Sequence, residues 1–281
     1  MSWQRLKFTE QLTDCPLCAA PRITKHFTDK LYRCADCGLH FCNPRPDQHQ
    51  ITQSYNTAAT YSAWQSERLQ RELLWQKRLA LLLRYKNAGH LLDVGTGDGH
   101  FLECASQHFD VDSTEISKSS VEFCQKRGFK PRMGDLHSLT FEPASYDVIT
   151  LWHVLEHLPD PGASLAKLAP LLKPGGYLIV AVPNETLPLA LARFRRQPLR
   201  PVFPLAWGGE IHLSYFTPRT LRDALENAGL EGVEFGVDDV HIHRTVKVTT
   251  RYHLNRLLNC LFSWHWATAM YLVGRRRSPT E

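Results

Sequence analysis

The chain has 281 residues, a net charge of +5 and 14 histidines, which is long enough for one large α/β domain and a small additional module. The charge tolerates anionic partners but is too small to indicate nucleic-acid binding. The longest apolar runs fall short of the roughly 20 residues that a membrane-spanning helix needs, and the N-terminal residues do not lead into a secretory segment. We therefore expect a globular cytoplasmic protein.

Four of the eight cysteines form two pairs near the N-terminus, Cys15, Cys18, Cys34 and Cys37. Their C-x₂-C-x₁₅-C-x₂-C spacing is typical of a four-thiolate zinc site. Two disulfides are the alternative, which the lack of a secretion signal disfavours. Because a segment of about 50 residues is too small for a self-sufficient core, metal ligation would supply its folding energy. The pattern predicts a structural zinc ribbon in residues 1–50.

A helical segment is predicted after the prolines that end the ribbon. From Tyr61 to Tyr85 apolar residues recur at helical spacing, with Trp75, Leu79 and Leu82 on one face. We interpret residues 51–87 as a helical cap or linker. The third part, residues 88–281, contains the remaining motifs, and we expect it and the ribbon to have separate cores.

One stretch of this third part combines a strand-like apolar run, a glycine-rich turn and the start of a helix. Asp93 lies in the apolar run, and Gly95, Gly97 and Gly99 follow it. Such a turn brings backbone N–H groups close to a ligand. Glu115 ends a second strand-like run twenty positions after Gly95, where an acid can bind both ribose hydroxyls. The third glycine comes one residue earlier than in the dinucleotide fingerprint, and Asp93 would repel a pyrophosphate.

These residues make the chain similar to the class I S-adenosylmethionine-dependent methyltransferases, whose first motif resembles residues 92–99. The resemblance implies a doubly wound, Rossmann-like α/β sheet with a final antiparallel strand, and S-adenosylmethionine as cofactor. Gly134 and Asp135 match the family position at which an acid contacts the adenine amino group. The N-terminal cysteine segment resembles the zinc-ribbon start of one bacterial subgroup of these enzymes.

The segment His153-Val154-Leu155-Glu156-His157 follows a predicted central strand. It matches H-x-x-E-H, a metalloprotease signature that needs a helix with both histidines on zinc. Pro159 and Pro161 would cut such a helix short. Since ligands of open α/β sheets bind beyond the carboxyl ends of the strands, this segment is expected near the chemistry or packed beneath it.

Three histidines are candidates for a general base, which a hydroxyl acceptor would require. We favour His153 because it is nearest to the strand end, with His157 packed behind it. His212 is a competing candidate, because it precedes a helix that borders the acceptor in the related enzymes. The alternative is that all three shape the pocket and that proximity alone drives the transfer.

The residues at the strand end also bear on the acceptor. The Asn/Asp-Pro-Pro-aromatic sequence of many nucleobase amino-group methyltransferases is replaced by residues 153–156, and no Pro-Cys dipeptide is present for attack on a pyrimidine carbon. We expect O-methylation of a small-molecule, glycan or lipid-linked acceptor. Two alternatives stay open, namely an RNA methyltransferase that docks its substrate through the ribbon, and a non-catalytic binding protein with this fold. An apolar stripe over residues 254–261 favours core packing, with peripheral membrane contact as the alternative.

Overall fold

The structure, a computed structural model, describes residues 6–26, 28–56, 68–195, 211–238 and 267–278. Its strands form two sheets, one of four strands and one of seven. The predicted stripe at 254–261 lies outside the described residues. Within the described ranges, no helix is both long enough and apolar enough to cross a membrane.

The N-terminal part is an antiparallel sheet followed by two helices. Its elements are β1 (Ile23–His26), β2 (Thr28–Cys34), β3 (His40–Cys42), α1 (Gln48–Tyr55) and α2 (Arg68–Leu83). Helix α2 lies within the helical segment predicted from Tyr61 to Tyr85, of which residues 61–67 are not described. Leu79 and Leu82 are buried on one face of α2, as the spacing predicts, and Leu82 belongs to the same buried cluster as Leu91 of the large sheet.

Strands and helices then alternate along the chain. The elements are β4 (Gly89–Val94), α3 (His100–Ala105), β5 (Phe109–Glu115), α4 (Lys118–Lys126), β6 (Arg132–Met133), β7 (Tyr146–Trp152), α5 (Pro161–Leu168), β8 (Leu172–Pro183), α6 (Thr186–Arg195), β9 (Ser214–Tyr215), α7 (Pro218–Asn227), β10 (Leu230–Val237) and β11 (Ala269–Arg276). The helix boundaries follow local chemistry. The Ser117 side chain caps α4 by accepting from the Ser120 backbone, and Thr217 and Thr220 form a reciprocal capping box at α7.

The larger sheet has the strand order β10-β11-β8-β7-β4-β5-β6. Strands β4 to β8 run parallel to one another, and β11 is antiparallel to both of its neighbours. This arrangement confirms the predicted doubly wound sheet with an antiparallel strand near its end. The central strands read as continuous apolar runs because both of their faces are covered.

The ribbon and the large sheet share one core, so the expectation of separate cores was wrong. Strand β3 pairs with β9, which places Phe41 opposite Ser214. Leu39 and Phe41 belong to the same buried cluster as Leu155 and Phe216. All three side chains of β3 are buried, and part of this burial comes from the large domain through the pairing with β9. Residue 50 is therefore not a boundary between two packing units.

The first cysteine knuckle also packs directly against the large domain. The backbone N–H of Gly162 donates to Pro16 at 3.1 Å, and a Cβ on Gly162 would lie 2.2 Å from the Leu17 carbonyl oxygen. Only glycine permits this approach of the α5 N-terminus to the knuckle. The contact adds a second junction to the β3–β9 pairing.

Candidate active site

The glycine-rich turn follows β4 at the carboxyl edge of the sheet. Gly95, Gly97 and Gly99 all have positive φ, which L-residues with a Cβ rarely adopt. A Cβ on Gly95 would also lie 2.7 Å from Val154. At Gly97, by contrast, no described atom lies within 4 Å of the Cβ position. The turn is therefore packed against the protein at Gly95, whereas the space beside Gly97 is open to a ligand.

Glu115 ends β5 beside this turn. Its carboxylate accepts hydrogen bonds of 2.8 Å from the backbone N–H groups of Gly97, Ile116 and Ser117. Burial raises the pKa of Glu115 to about 7, although the three backbone donors oppose the shift. The predicted ribose acceptor is thus held against the glycine turn by the Gly97 N–H, and two further donors come from the residues that follow it.

Asp93 is 2% exposed and lies beneath the turn. It accepts a hydrogen bond of 2.7 Å from the Thr150 hydroxyl on the adjacent strand. Burial raises the pKa of Asp93 to about 6, opposed by this hydrogen bond. Two buried carboxyl groups at the ends of β4 and β5 suit a ligand that carries an ammonium and a sulfonium, because ionised acids favour nearby positive charge.

Gly134 and Asp135 follow β6 at the same edge of the sheet. The Gly134 N–H donates to the Glu115 carbonyl at 3.0 Å, which connects the segment predicted to contact adenine to the residue predicted to bind the ribose. Asp135 accepts from the Gln48 side chain of α1 at 3.1 Å. Since the Ser117 hydroxyl donates to the Tyr55 carbonyl at the end of the same helix, α1 lies across the carboxyl ends of β5 and β6. The sequence predicts a helical cap or linker from residue 51 onwards, whereas α1 begins three residues earlier, at Gln48.

The H-x-x-E-H segment does not form the helix of a metalloprotease. Leu155–His157 is a single 3₁₀ turn, and His153 has a left-handed backbone with φ of +58°. The His153 Nε2 lies 3.2 Å from Asp238 Oδ2, and its Nδ1 lies 3.4 Å from Glu156 Oε1. Burial alone lowers the pKa of His153, but the two carboxylates outweigh burial and raise it to about 9. Both ring nitrogens face acceptors, so His153 holds a proton rather than receiving one.

Asp238 also binds Arg78, and sequence reasoning missed both residues. The Arg78 Nη2 lies 2.5 Å from Asp238 Oδ2, with side chains that are 3% and 2% exposed. The Arg78 guanidinium lies over the rings of Trp75 and Trp152, at 4.6 and 4.7 Å from their centroids. Burial raises the pKa of Asp238, but Arg78 and His153 outweigh burial and lower it. The network connects α2 to the ends of β7 and β10.

His157 and His212 lie together, with ring centroids 4.8 Å apart. The His157 Nδ1 lies 2.6 Å from the Ile211 carbonyl oxygen, which places the ring proton on Nδ1. Burial, followed by the charge of His157, lowers the pKa of His212 to about 3. Leu213, in the segment before β9, donates its backbone N–H to the Glu156 carbonyl at 2.8 Å. This bond holds the segment that contains His212 close to the end of β7. The structure thus brings two of the three predicted histidines into contact.

Glu185 is a further buried acid that the sequence did not reveal. It follows the carboxyl end of β8, is 6% exposed, and its Oε2 has no hydrogen-bond partner among the described residues. Burial, followed by the charge of Glu156, raises the pKa of Glu185 to about 7. Strand ends β7 and β8 are neighbours, so Glu185 borders the same space as the histidines. Its only sequence signal is its position directly after a predicted strand.

The four N-terminal cysteines converge as predicted. Cys15 Sγ lies 3.6 Å from Cys37 Sγ, and Cys18 Sγ lies 3.7 Å from Cys34 Sγ. These separations exceed the roughly 2.05 Å of a disulfide bond, and all four cysteines are free. Their four sulfur atoms lie within 4.8 Å of one another, which is a donor set suited to tetrahedral zinc.

The sheet order, the glycine turn after β4 and the acid that ends β5 together define a class I S-adenosylmethionine-dependent methyltransferase. The chain belongs to a methyltransferase-domain family, whose family model matches residues 66–234.

Named relatives agree with this family. The chain is 27% identical over 162 residues to the ubiquinone biosynthesis O-methyltransferase of Coxiella burnetii, covering 55% of this chain and 68% of the relative. It is 30% identical over 150 residues to the protein of that name from Xanthomonas euvesicatoria, covering 50% of this chain and 62% of the relative.

Solved structures share the fold. An S-adenosylmethionine-dependent methyltransferase from Mesorhizobium loti superposes with a TM-score of 0.52 at 17% identity, covering 70% of this chain and 96% of that chain. One from Archaeoglobus fulgidus has a TM-score of 0.52 at 20% identity and covers 77% of this chain and 100% of that chain.

Replacing Glu115 with glutamine should weaken binding of S-adenosylmethionine by about 1.5 to 3 kcal/mol, because the variant would lose the charge-assisted hydrogen bonds that we predict to the ribose. The wild-type affinity should rise by up to about tenfold between pH 6 and pH 8, as a carboxyl group with a pKa near 7 ionises. Calorimetry at both pH values measures the two effects. Glu142→Gln, on the exposed surface, is the matched control. Equal affinities for wild type and Glu115→Gln would contradict the assignment.

Proposed function

We propose that the chain transfers the methyl group of S-adenosylmethionine to a hydroxyl oxygen of a small-molecule acceptor. The proposal rests on the group of buried side chains at the carboxyl ends of β7 and β8, which lies beside the glycine-rich turn after β4. The printed names of the relatives, which specify O-methylation, support the same reaction. A lipid-linked or glycan hydroxyl would require the same chemistry.

The reaction needs orientation and one proton acceptor. The acceptor oxygen loses its proton, forms a bond to the methyl carbon, and the methyl–sulfur bond breaks with its electron pair left on sulfur. The sulfonium thereby becomes a neutral thioether, and the products are a methyl ether and S-adenosylhomocysteine. A dry pocket at the strand ends favours this charge cancellation.

We assign the role of proton acceptor to Glu185 rather than to a histidine. His153 lies between two carboxylates, so neither of its ring nitrogens is oriented to accept a proton. Glu185 is buried just after the end of the adjacent strand β8, and its Oε2 has no hydrogen-bond partner among the described residues. A general base is most effective when its pKa is near the working pH, and the pKa of about 7 supports the choice of Glu185.

The test offers radiolabelled S-adenosylmethionine to separate pools of small metabolites, lipids, protein and RNA. We expect label in hydroxylated small molecules, in a bond that resists acid as an ether does. Transfer only to RNA or protein would overturn the proposal. With an acceptor in hand, Glu185→Gln should slow transfer by roughly 10²- to 10⁴-fold with near-normal cofactor affinity.

The histidine prediction is tested with the same assay. His153→Ala should reduce transfer by less than Glu185→Gln does, because His153 acts through its contacts with Asp238 and Glu156. A loss of 10²-fold or more in His153→Ala, with Glu185→Gln unaffected, would return the base role to His153. Cofactor affinity is measured separately in each variant.

We further propose one structural zinc ion per chain, bound by Cys15, Cys18, Cys34 and Cys37. Four thiolates leave no open position for chemistry, so the zinc supplies stability. Because β3 pairs with β9, the ribbon packs against the large domain. Elemental analysis of reduced protein should find the metal.

A further inference from the structure

We propose that His26, Arg33 and Arg193 form a binding site for a phosphate or diphosphate group, at the junction between the ribbon sheet and helix α6. The site is separate from the glycine-rich turn and from the four cysteines. Binding of the anion is argued from the positions and partners of these side chains alone. That the anion belongs to the methyl acceptor rests on the proposed function.

The ribbon sheet and α6 meet at a pair of buried leucines. Leu31 of β2 and Leu189 of α6 belong to one buried cluster. Arg33 lies two residues after Leu31, and side chains two residues apart in a strand point to the same face. Arg193 lies four residues after Leu189, which places it one turn further along the same side of the helix. The two arginines therefore extend from the same junction, and both are exposed.

Two histidines lie beside Arg33 on the ribbon sheet. His40 of β3 is the register partner of Arg33, and His26 of β1 reaches His40 across β2. The His40 Nε2 lies 2.9 Å from the His26 Nδ1, and the ring centroids are 4.8 Å apart. Burial, followed by the charges of His26 and Arg33, lowers the pKa of His40 to about 3. His40 therefore stays neutral and positions the His26 ring.

The two arginines carry positive charge that no acidic side chain offsets. Within the described part of the chain, no carboxylate pairs with Arg33 or Arg193. The acids closest to Arg33 in sequence pair with other cations, as Asp29–Lys25 and Asp36–Arg22. Burial, followed by the charges of Arg33 and Arg193, lowers the pKa of His26, which agrees with both guanidinium groups lying near this ring. The junction thus brings uncompensated cations together from two distant segments.

This set of donors selects a phosphate-type anion. Each guanidinium presents its N–H donors as a planar fork that matches two phosphate oxygens, and an imidazole beside it supplies a further donor type. An anion with more than one negative charge also gains more from two cations than a single carboxylate does.

Helix α6 relates this site to the proposed base. Glu185 directly precedes α6, and Arg193 lies eight residues later. At the helical rise of about 1.5 Å per residue, the two positions are roughly 12 Å apart along the helix. The acceptor class is accordingly a small hydroxylated molecule that carries a phosphate or diphosphate group at about that distance from the hydroxyl.

The test titrates inorganic pyrophosphate into the full chain by calorimetry, without S-adenosylmethionine and at low ionic strength, where exposed charges are least screened. We expect saturable binding at one site per chain, and weaker binding of malonate. Arg33→Gln and Arg193→Gln should each weaken pyrophosphate binding at least about fivefold, because each removes a charge-assisted hydrogen bond. Arg222→Gln, at an exposed arginine of α7, should bind like wild type.

Three outcomes would overturn the site: no saturable binding of pyrophosphate, binding that neither variant weakens, or malonate binding as tight as that of pyrophosphate. A short single-stranded RNA that displaces pyrophosphate and binds more tightly would overturn the assignment to a small molecule. Arg33 precedes the thiolate of Cys34, so its loss also affects the charge around the zinc. If Arg33→Gln lowers the unfolding temperature, Arg193→Gln decides the question.

An acceptor, once identified, connects the site to the reaction. Arg193→Gln should then raise the KM of the acceptor with little change in kcat, because a phosphate far from the reacting oxygen is bound equally in the ground state and the transition state. The calorimetry contains no acceptor. Failure of methyl transfer would therefore leave the anion site standing, and failure of pyrophosphate binding would leave O-methylation through Glu185 standing.

Discussion

Removal of zinc from the ribbon is expected to unfold most of the chain and not the ribbon alone. The reason is the shared core, in which Leu39 and Phe41 pack with residues of the large domain. Structural zinc contributes on the order of 10 kcal/mol in small zinc domains, which is comparable with the total stability of a typical protein. Loss of the ion would therefore remove most of the free energy of unfolding.

The measurement is thermal unfolding of protein treated with a chelator, together with the variant Cys34→Ser. We expect a single transition at much lower temperature, seen equally in the far-ultraviolet signal and in cofactor binding. Cys104→Ser, outside the cysteine cluster, should unfold like wild type. A zinc-free protein that retains cofactor affinity and shows two separate transitions would mean that ribbon and domain are independent.

Replacing Arg78 with alanine should destabilise the protein by about 3 to 5 kcal/mol. The substitution leaves the Asp238 carboxylate buried with its main countercharge removed, and breaking a buried pair in this way is strongly destabilising. It also removes the guanidinium from between Trp75 and Trp152. Chemical denaturation at pH 7 measures the loss.

The exposed pair between Arg84 and Glu234 is the matched comparison, with side chains that are 53% and 28% exposed. Arg84→Ala should cost no more than about 1 kcal/mol, because solvent screens exposed ion pairs. A loss of stability in Arg78→Ala as small as the loss expected for Arg84→Ala would show that the buried network contributes little to stability.

Much of the fold could be predicted from local patterns. The caps at Ser117 and Thr217 act within four residues, and the continuous apolar runs predicted the buried strands. The spacing of the glycines and Glu115 predicted that these residues meet, and the Gly97 N–H donates to Glu115. The cysteine spacing similarly predicted which sulfur atoms converge. Each of these features is specified by residues that are close in sequence or that match a strand–turn–helix unit.

The surroundings of the histidines depended on contacts between distant segments. Asp238 lies 85 residues after His153, and Arg78 lies 160 residues before Asp238, so no local spacing predicts that they meet. The sequence favours His153 as a base because it is nearest to the strand end, and position along the chain does not reveal that the Glu156 and Asp238 carboxylates flank its ring. Burial and partners decide the charge of a histidine, and both are properties of the packed structure.

The sequence by itself determined the sheet, the glycine-rich turn and the cysteine cluster, because periodicity, glycine placement and capping act locally. Only the tertiary structure decided that β3 pairs with β9, that ribbon and domain share a core, and that Glu156, His157 and His212 converge. A strand of three residues has too little pattern to specify its partner. The physical reason is that burial of apolar area is non-directional, so the sequence indicates which side chains become buried but not which distant segment buries them.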